Sequence, residues 1–76
     1  MPNDDLLIAF GKRIRHLRTA RGLSQEKLAE LTGFHRTYIG MIERGERNLS
    51  LLNIGTLADF FEMSVSELLD FERGDA

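Results

Sequence analysis

Cysteine is absent from this 76-residue chain, and its only proline is at position 2. Without cysteine the chain can form neither a disulfide nor a thiolate metal site. No apolar run approaches the roughly 20 residues that a membrane-spanning helix needs, and the acidic N-terminus is unlike a signal peptide. We therefore expect a cytoplasmic protein without a cofactor, a metal or a membrane partner.

Catalytic patterns are absent as well. The chain has two histidines, no glycine-rich phosphate loop and no carboxylates clustered at ligand spacing. His16 lies among arginines, where a surface or half-buried histidine is a better interpretation than a ligand. The sequence therefore does not predict an enzyme.

The net charge of −2 hides a strong asymmetry along the chain. Nine basic and four acidic residues lie between Gly11 and Arg47, which gives this segment a charge of +5, whereas the remainder of the chain carries −7. Ordinary scatter of surface charge is one explanation. The other is a basic face kept apart from an acidic one, as in proteins that bind nucleic acid.

Strand patterns are lacking, whereas helical spacings fill the chain. Leu7, Phe10, Ile14 and Leu17 recur at spacings of three and four, which predicts a first helix from about Asp4 to Ala20. A chain this short buries only about 60% of its unfolded surface, so its core is small. We expect a single compact domain of five short helices, all-α in class.

The second and third predicted helices are separated by a few residues around Gly33. Ser24 is the N-cap candidate for helix 2, and the inward residues of that helix are predicted to be Leu28, Ala29 and Leu31. Helix 3 begins at His35 or Arg36 and ends near Arg44. Two short helices joined this closely, the second rich in arginine, are typical of a helix-turn-helix.

Two serines begin the remaining helices. Ser50 is expected to cap helix 4, and Ser64 forms a capping box with Glu67 at the start of helix 5. The buried stripe of helix 4 is predicted to be Leu51, Ile54, Leu57, Ala58 and Phe61. The apolar face of helix 5 is predicted to be Val65, Leu68 and Leu69.

From Phe10 to Leu69 the sequence resembles the Cro/phage-repressor (XRE) family of helix-turn-helix regulators. The matching segments are IRHLRTARGLSQEKLAELTGFHRTYIGMIERG, NLSLLNIGTLADFF and SVSELL. Within that family, HRTYIGMIERGERNLSL looks most like the controller proteins of restriction–modification systems. The resemblance implies one lambda-repressor-like DNA-binding domain over residues 1–76, with the helix-turn-helix proper at about 24–44.

The resemblance places the start of helix 3 against base edges in the major groove. The implied base-reading residues are His35, Arg36, Thr37 and Met41. Arg36 would donate two hydrogen bonds to a guanine, worth about 1–3 kcal/mol of discrimination. The alternatives are that Arg36 is a solvated helix arginine and that His35 caps the helix.

The same resemblance implies contacts to the DNA backbone, which position the protein without reading sequence. The candidates are Ser24, Gln25, Tyr38, Arg44, Arg47 and Asn48. Tyr38 either reaches a phosphate or packs its ring against helix 2. Arg18 and Glu43 match a structural ion pair of the family. Gly40 departs from the serine that is frequent there, and either lets the backbone approach DNA or has no role.

The C-terminal third has more apolar residues than a small core requires. We expect a homodimer through about residues 57–72, with an interface formed by Phe61, Met63, Leu68, Leu69 and Phe71. The alternative is that all of them are core residues. A dimer would set two recognition helices one DNA turn apart over a two-fold site.

These features predict a dimeric, sequence-specific transcription regulator whose partners are double-stranded operator DNA and, for activation, RNA polymerase. Control of its own promoter or of a restriction–modification operon fits this prediction. The alternative function is an antitoxin-type or other protein-interaction module of the same fold. The sequence does not give the operator or the direction of regulation.

Overall fold

A computed structural model describes residues 2–71, with side chains from residue 5 onward. These residues form five α-helices and no strand: α1 (Pro2–Ala20), α2 (Gln25–Thr32), α3 (Arg36–Glu43), α4 (Leu51–Phe60) and α5 (Val65–Leu68). The predicted all-α fold with a helix-turn-helix is confirmed. No helix in this part of the chain has the length and apolar character needed to cross a membrane.

Short polar caps set where the helices begin. The side chains of Ser24, His35, Ser50 and Ser64 each accept a hydrogen bond from a backbone N–H of the following first turn. These bonds satisfy N–H groups that have no partner within the helix. The capping box of Ser64 and Glu67 forms as predicted. Gly33 ends α2 with a φ of 84°, a left-handed conformation that glycine adopts at little cost.

One hydrophobic core joins all five helices. The largest side chains without contact to solvent are Ile14, Leu28, Ile39, Ile42, Leu57 and Leu68. Full burial of a side chain of this size contributes about 1.5–3 kcal/mol. Because Ile39 and Ile42 supply the back of α3, the opposite side of that helix faces solvent.

Two arginines, one in α1 and one in the turn after it, bind the C-terminal ends of distant helices. Arg13 donates to the carbonyl oxygens of Leu68 and Glu67 at 3.2 and 2.9 Å. Arg21 donates to the carbonyl of Phe61 at 3.2 Å, and its guanidinium lies 5.3 Å from the centre of the Phe61 ring. Cations are favourable at helix C-termini. Part of the basic charge between residues 11 and 47 is therefore structural.

Two leucines predicted to be buried are exposed instead. Leu31 is 50% exposed because it lies about 110° around α2 from the centre of the face formed by Leu28 and Ala29. Leu51 is 73% exposed because it begins α4, beyond the part of that helix that the core covers. Helical periodicity identifies a stripe but not the point at which packing neighbours end.

Candidate nucleic-acid interface

The front of α3 is the exposed side that faces away from the core. Arg36 and Thr37 are exposed there, and Met41 is half-buried one turn further on. Ile39 and Ile42 anchor the opposite side with at most 1% of their surface accessible. The helix is therefore fixed from behind while its first turn is free to enter a groove.

His35 acts as the N-cap of α3. Its Nδ1 accepts a hydrogen bond from the Thr37 backbone N–H at 3.1 Å. Of the two roles predicted for His35, the structure thus displays the cap. His35 is exposed, so the residue stays accessible to solvent while it caps the helix.

A polar depression, the front cleft, brings several predicted DNA contacts together. It is lined by Gln25, Glu26, Arg36, Thr37, Gly40 and Arg44. Arg36 Nη1 pairs with a carboxylate oxygen of Glu26, and both side chains are about two-thirds exposed. This pair joins α2 to the first turn of α3, where base-reading residues were predicted, and the pair itself was not predicted from the sequence.

Gln25 lies between the front cleft and a half-buried ion pair. Arg18 Nε is 2.7 Å from Glu43 Oε2, and Gln25 Nε2 donates to Glu43 Oε1 at 3.0 Å. The hydrogen bonds that Arg18 donates to Glu43 raise the pKa of Arg18 above its ordinary value, outweighing the effect of partial burial. The structure therefore places Arg18 and Glu43 together, as the resemblance implied. The Gln25 amide has a second N–H that this bond to Glu43 does not use.

Gly40 lies under two polar side chains of the front cleft. A Cβ at this position would come within 3.1 Å of Arg44 Nη1 and 3.6 Å of Gln25 Oε1. Glycine therefore lets Arg44 lie back across α3 toward Gln25. Arg44 is also held by Glu46, with Nε 3.1 Å from the carboxylate.

Tyr38 is the centre of a second cluster, at the junction of α3 with α4. Its hydroxyl accepts a hydrogen bond from Asn53 Nδ2 at 2.9 Å, and the Arg47 guanidinium lies 5.1 Å from the centre of its ring. Its ring also meets Phe34 edge-on, with centroids 5.2 Å apart. The ring thus packs against Phe34 in the turn and under the Arg47 guanidinium, and the hydroxyl is bound to α4 through Asn53.

The remaining backbone-contact candidates lie at the edges of this surface. Ser24 is exposed, and its Oγ accepts from the Lys27 backbone N–H at 3.0 Å. Asn48 is exposed in the loop between α3 and α4, where it lines an apolar cleft instead of the front cleft. Of the phosphate-contact candidates, Asn48 is the one that lines the apolar cleft.

The proposed dimer residues divide into two groups. Phe61 and Leu68 are 3% and 0% exposed and belong to the core of the single chain, so they offer almost no surface to a partner. This part of the interface prediction is corrected. Met63 and Phe71 are half-buried, and Leu69 is 39% exposed. Residue 72, the end of the predicted region, lies outside the described residues.

An apolar cleft opens beside Leu69 and Phe71. It has a volume of about 280 Å³ and is lined by Leu6, Leu7, Phe10, Asn48, Leu49, Ile54, Leu69 and Phe71. Roughly 150 Å³ is enough to hold a benzene molecule. The cleft therefore has room for about two apolar side chains. Leu51 and Leu52, next to it in sequence, are 73% and 84% exposed.

Comparison with known proteins agrees with this geometry. The control protein C.SmaI of Serratia marcescens is 45% identical over 65 residues, which are 86% of this chain and 77% of that protein. The crystal structure of the restriction–modification controller protein C.AhdI from Aeromonas hydrophila has a TM-score of 0.76 and 55% identity, covering 82% of this chain and 94% of the other.

A solved DNA complex is also similar. The tetramer of the restriction–modification controller protein C.Esp1396I, bound to its natural 35-base-pair operator, has a TM-score of 0.73 and 34% identity, covering 84% of this chain and 88% of the other. The sequence model of a helix-turn-helix family matches residues 14–68. Because this match spans most of the chain and the relatives are similar over most of their length, the chain belongs to the helix-turn-helix family.

Proposed function

We propose that this protein is a sequence-specific DNA-binding transcription regulator that controls a restriction–modification operon. The observation that carries this proposal is the exposed first turn of α3, held on a rigid back and opening onto the front cleft. Its similarity to controller proteins, one of them solved on its operator, supports the same function. Acting on the chromosome, such a regulator works in the cytoplasm.

The residues of the interface divide by role. Arg36 and Thr37 read base edges, with His35 and Met41 at the border of the contact. Gln25, Tyr38, Arg44 and Arg47 hold phosphates, with Ser24 and Asn48 at the periphery. Arg36 and Arg44 are paired with Glu26 and Glu46 in the free protein. DNA must compete with Glu26 and Glu46 for these two arginines. Tight binding therefore requires that the bases and phosphates contact the arginines well enough to replace the two ion pairs.

The protein acts as a homodimer in this proposal. The apolar cleft and the two exposed leucines of α4 lie on adjoining parts of the chain. In a two-fold dimer the same surface patch of each subunit forms the interface. Each subunit would insert its exposed leucines Leu51 and Leu52 into the apolar cleft of its partner. We therefore revise the interface to Leu51, Leu52, Leu69 and Phe71, with Met63 at its margin. Contact with RNA polymerase remains a prediction.

Binding is tested by titrating the protein with DNA from upstream of its own gene and with a scrambled duplex, at several salt concentrations. Tight binding to the upstream duplex alone is expected. Because released counterions drive phosphate contacts, log K should fall linearly with log salt, by about 0.9 for each phosphate neutralised. Weak and equal binding to both duplexes would contradict the proposal and favour a protein-interaction module.

The dimer is tested with Leu52→Glu, which removes a side chain that contributes little to the folded monomer. Sedimentation at tens of micromolar should show a dimer for the wild type and a monomer for the variant. Leu31→Glu is the matched control, because Leu31 is exposed on α2 outside the apolar cleft. A dimeric Leu52→Glu protein would contradict the revised interface.

A further inference from the structure

Asn53 has no role in the interface described above, yet it binds one of its central residues. Asn53 Nδ2 donates to the Tyr38 hydroxyl at 2.9 Å in a partly buried setting. The two residues are 15 positions apart, on α4 and α3. The bond therefore links α3 to α4. Arg47 lies in the loop between these two helices.

The position of Asn53 is fixed by its own backbone. Its N–H donates to the Oγ of Ser50, the N-cap of α4, at 3.1 Å. Asn53 is thus the third residue of a capped helical turn, and its side chain projects from a rigid site. The Tyr38 ring is fixed as well, between the edge contact with Phe34 and the guanidinium of Arg47.

The direction of this hydrogen bond decides where the tyrosine proton can point. A phenol has one O–H donor and accepts through its lone pairs. Because the Asn53 amide donates, the Tyr38 proton cannot occupy the same side of the oxygen. Within residues 5–71 the Tyr38 hydroxyl has no protein acceptor for its own proton. The O–H is left available for an acceptor from outside, on a ring whose centre lies 5.1 Å from the cationic Arg47 guanidinium.

We propose that Asn53 is a positioning residue for DNA binding, which turns the Tyr38 O–H toward a backbone phosphate. The inference rests on the proposed function, since it requires a DNA phosphate next to Tyr38 and Arg47. Asn53 itself does not contact DNA. An amide in this place donates a hydrogen bond to the phenol oxygen. A carboxylate would instead accept a hydrogen bond from the phenol O–H, which would turn that O–H inward.

The test is a double-mutant cycle of Tyr38→Phe and Asn53→Asp. The aspartate should not prevent folding, because an acidic residue is favourable in the first turn of a helix. The probes are a duplex selected by the wild-type protein from a randomised pool and a scrambled duplex of the same composition. Thermal midpoints of the four proteins show whether any loss of affinity comes from unfolding.

In the chain that keeps Asn53, Tyr38→Phe should weaken binding by about tenfold for a dimer, which loses a hydrogen bond in each subunit. In the chain that carries Asn53→Asp, the same change should have less than about a twofold effect, because the proton already points inward. The comparison is made within one background, so repulsion between the new carboxylate and DNA cancels. The salt dependence should not change with Tyr38→Phe, because a neutral hydroxyl displaces no counterion.

Tyr38→Phe should also weaken both duplexes equally, because a phosphate contact carries no sequence information. An equal loss in the two backgrounds, or no loss in either, would overturn the role of Asn53 while leaving the proposed function intact. If the wild-type protein selects no duplex and binds the scrambled DNA only weakly, the proposed function fails and the inference fails with it.

Discussion

Arg18 and Glu43 join the first and third helices through two hydrogen bonds. Arg18 Nε lies 2.7 Å from Glu43 Oε2, and Arg18 Nη2 lies 3.0 Å from Glu43 Oε1. Arg18 Nη1 also donates to the Leu23 carbonyl at 2.7 Å. Because Gln25 binds the same carboxylate, this cluster connects α1, the start of α2 and the end of α3.

Arg18→Ala should lower the free energy of unfolding by about 3–5 kcal/mol, since it leaves the Glu43 carboxylate nearly buried and without its cation. The Glu43 side chain is only 3% exposed. Chemical denaturation measures the change. Arg15→Ala is the matched control, because Arg15 is exposed on the same helix. Equal stability of the two variants would contradict a structural role for the pair.

Substitution by alanine should change the stability of the fold in opposite directions at Gly11 and at Gly55. A Cβ on Gly11 would clash with the backbone carbonyl of Ile42 and come within 2.7 Å of the carbonyl oxygen of Glu43. Gly11→Ala should therefore destabilise the fold severely. Gly55 lies in α4, and apart from the backbone of that helix a Cβ there would meet no atom within 4 Å. Gly55→Ala should therefore stabilise the protein by about 0.5–1 kcal/mol through helix propensity. Thermal unfolding of both variants tests the close approach of α1 to α3. Equal shifts of the two thermal midpoints would contradict it.

Glu26 pairs with Arg36 in the free protein, and in the proposed function DNA must break this pair before Arg36 can read a base. Both side chains are about two-thirds exposed, so Glu26→Gln should leave thermal stability nearly unchanged. Affinity for a scrambled duplex should rise by up to roughly fivefold for each subunit that binds, since an exposed pair is worth about 0.2–1 kcal/mol. Glu30→Gln is the control, because Glu30 pairs with Lys27 on the same helix. Equal affinities for the two variants would show that Glu26 does not restrain Arg36.

Glu67 should make part of the stability depend on pH. Hydrogen bonds from Ser64, chiefly from its backbone N–H, lower the pKa of Glu67 below its ordinary value of 4.5. The ionised carboxylate therefore stabilises the folded state above pH 4.5, and this contribution is lost as the pH falls through the lowered pKa. The thermal midpoints of the wild type and Glu67→Gln should differ near neutral pH and converge in acid. A difference that stays constant with pH would contradict the capping box.

Local signals account for the parts of the fold that the sequence predicted correctly. A serine cap needs only a backbone N–H two or three residues ahead, so Ser24, Ser50 and Ser64 were recognisable without tertiary information. The spacing of Ile39 and Ile42 likewise determined which side of α3 faces inward. Together they located the helix-turn-helix.

Interactions between distant residues account for what the sequence did not reveal. Arg13 binds carbonyls more than 50 positions away, and nothing near it distinguishes it from an arginine that faces DNA. The bond between Tyr38 and Asn53 also depends on how α4 packs on α3. Phe61 and Leu68 were assigned to a dimer interface because apolar composition does not separate a core from an interaction surface.

In the proposed function, the first turn of α3 reads bases whereas the neighbouring arginines hold phosphates. The most direct measurement compares Arg36→Ala with Arg47→Ala on a selected duplex and on a scrambled duplex. Arg36→Ala should lose about 1–3 kcal/mol of discrimination for each guanine that Arg36 binds. Arg47→Ala should weaken both duplexes alike and reduce the salt slope by about one for each phosphate that is no longer neutralised. If Arg36→Ala retained the selectivity of the wild type, α3 would not read the operator through Arg36.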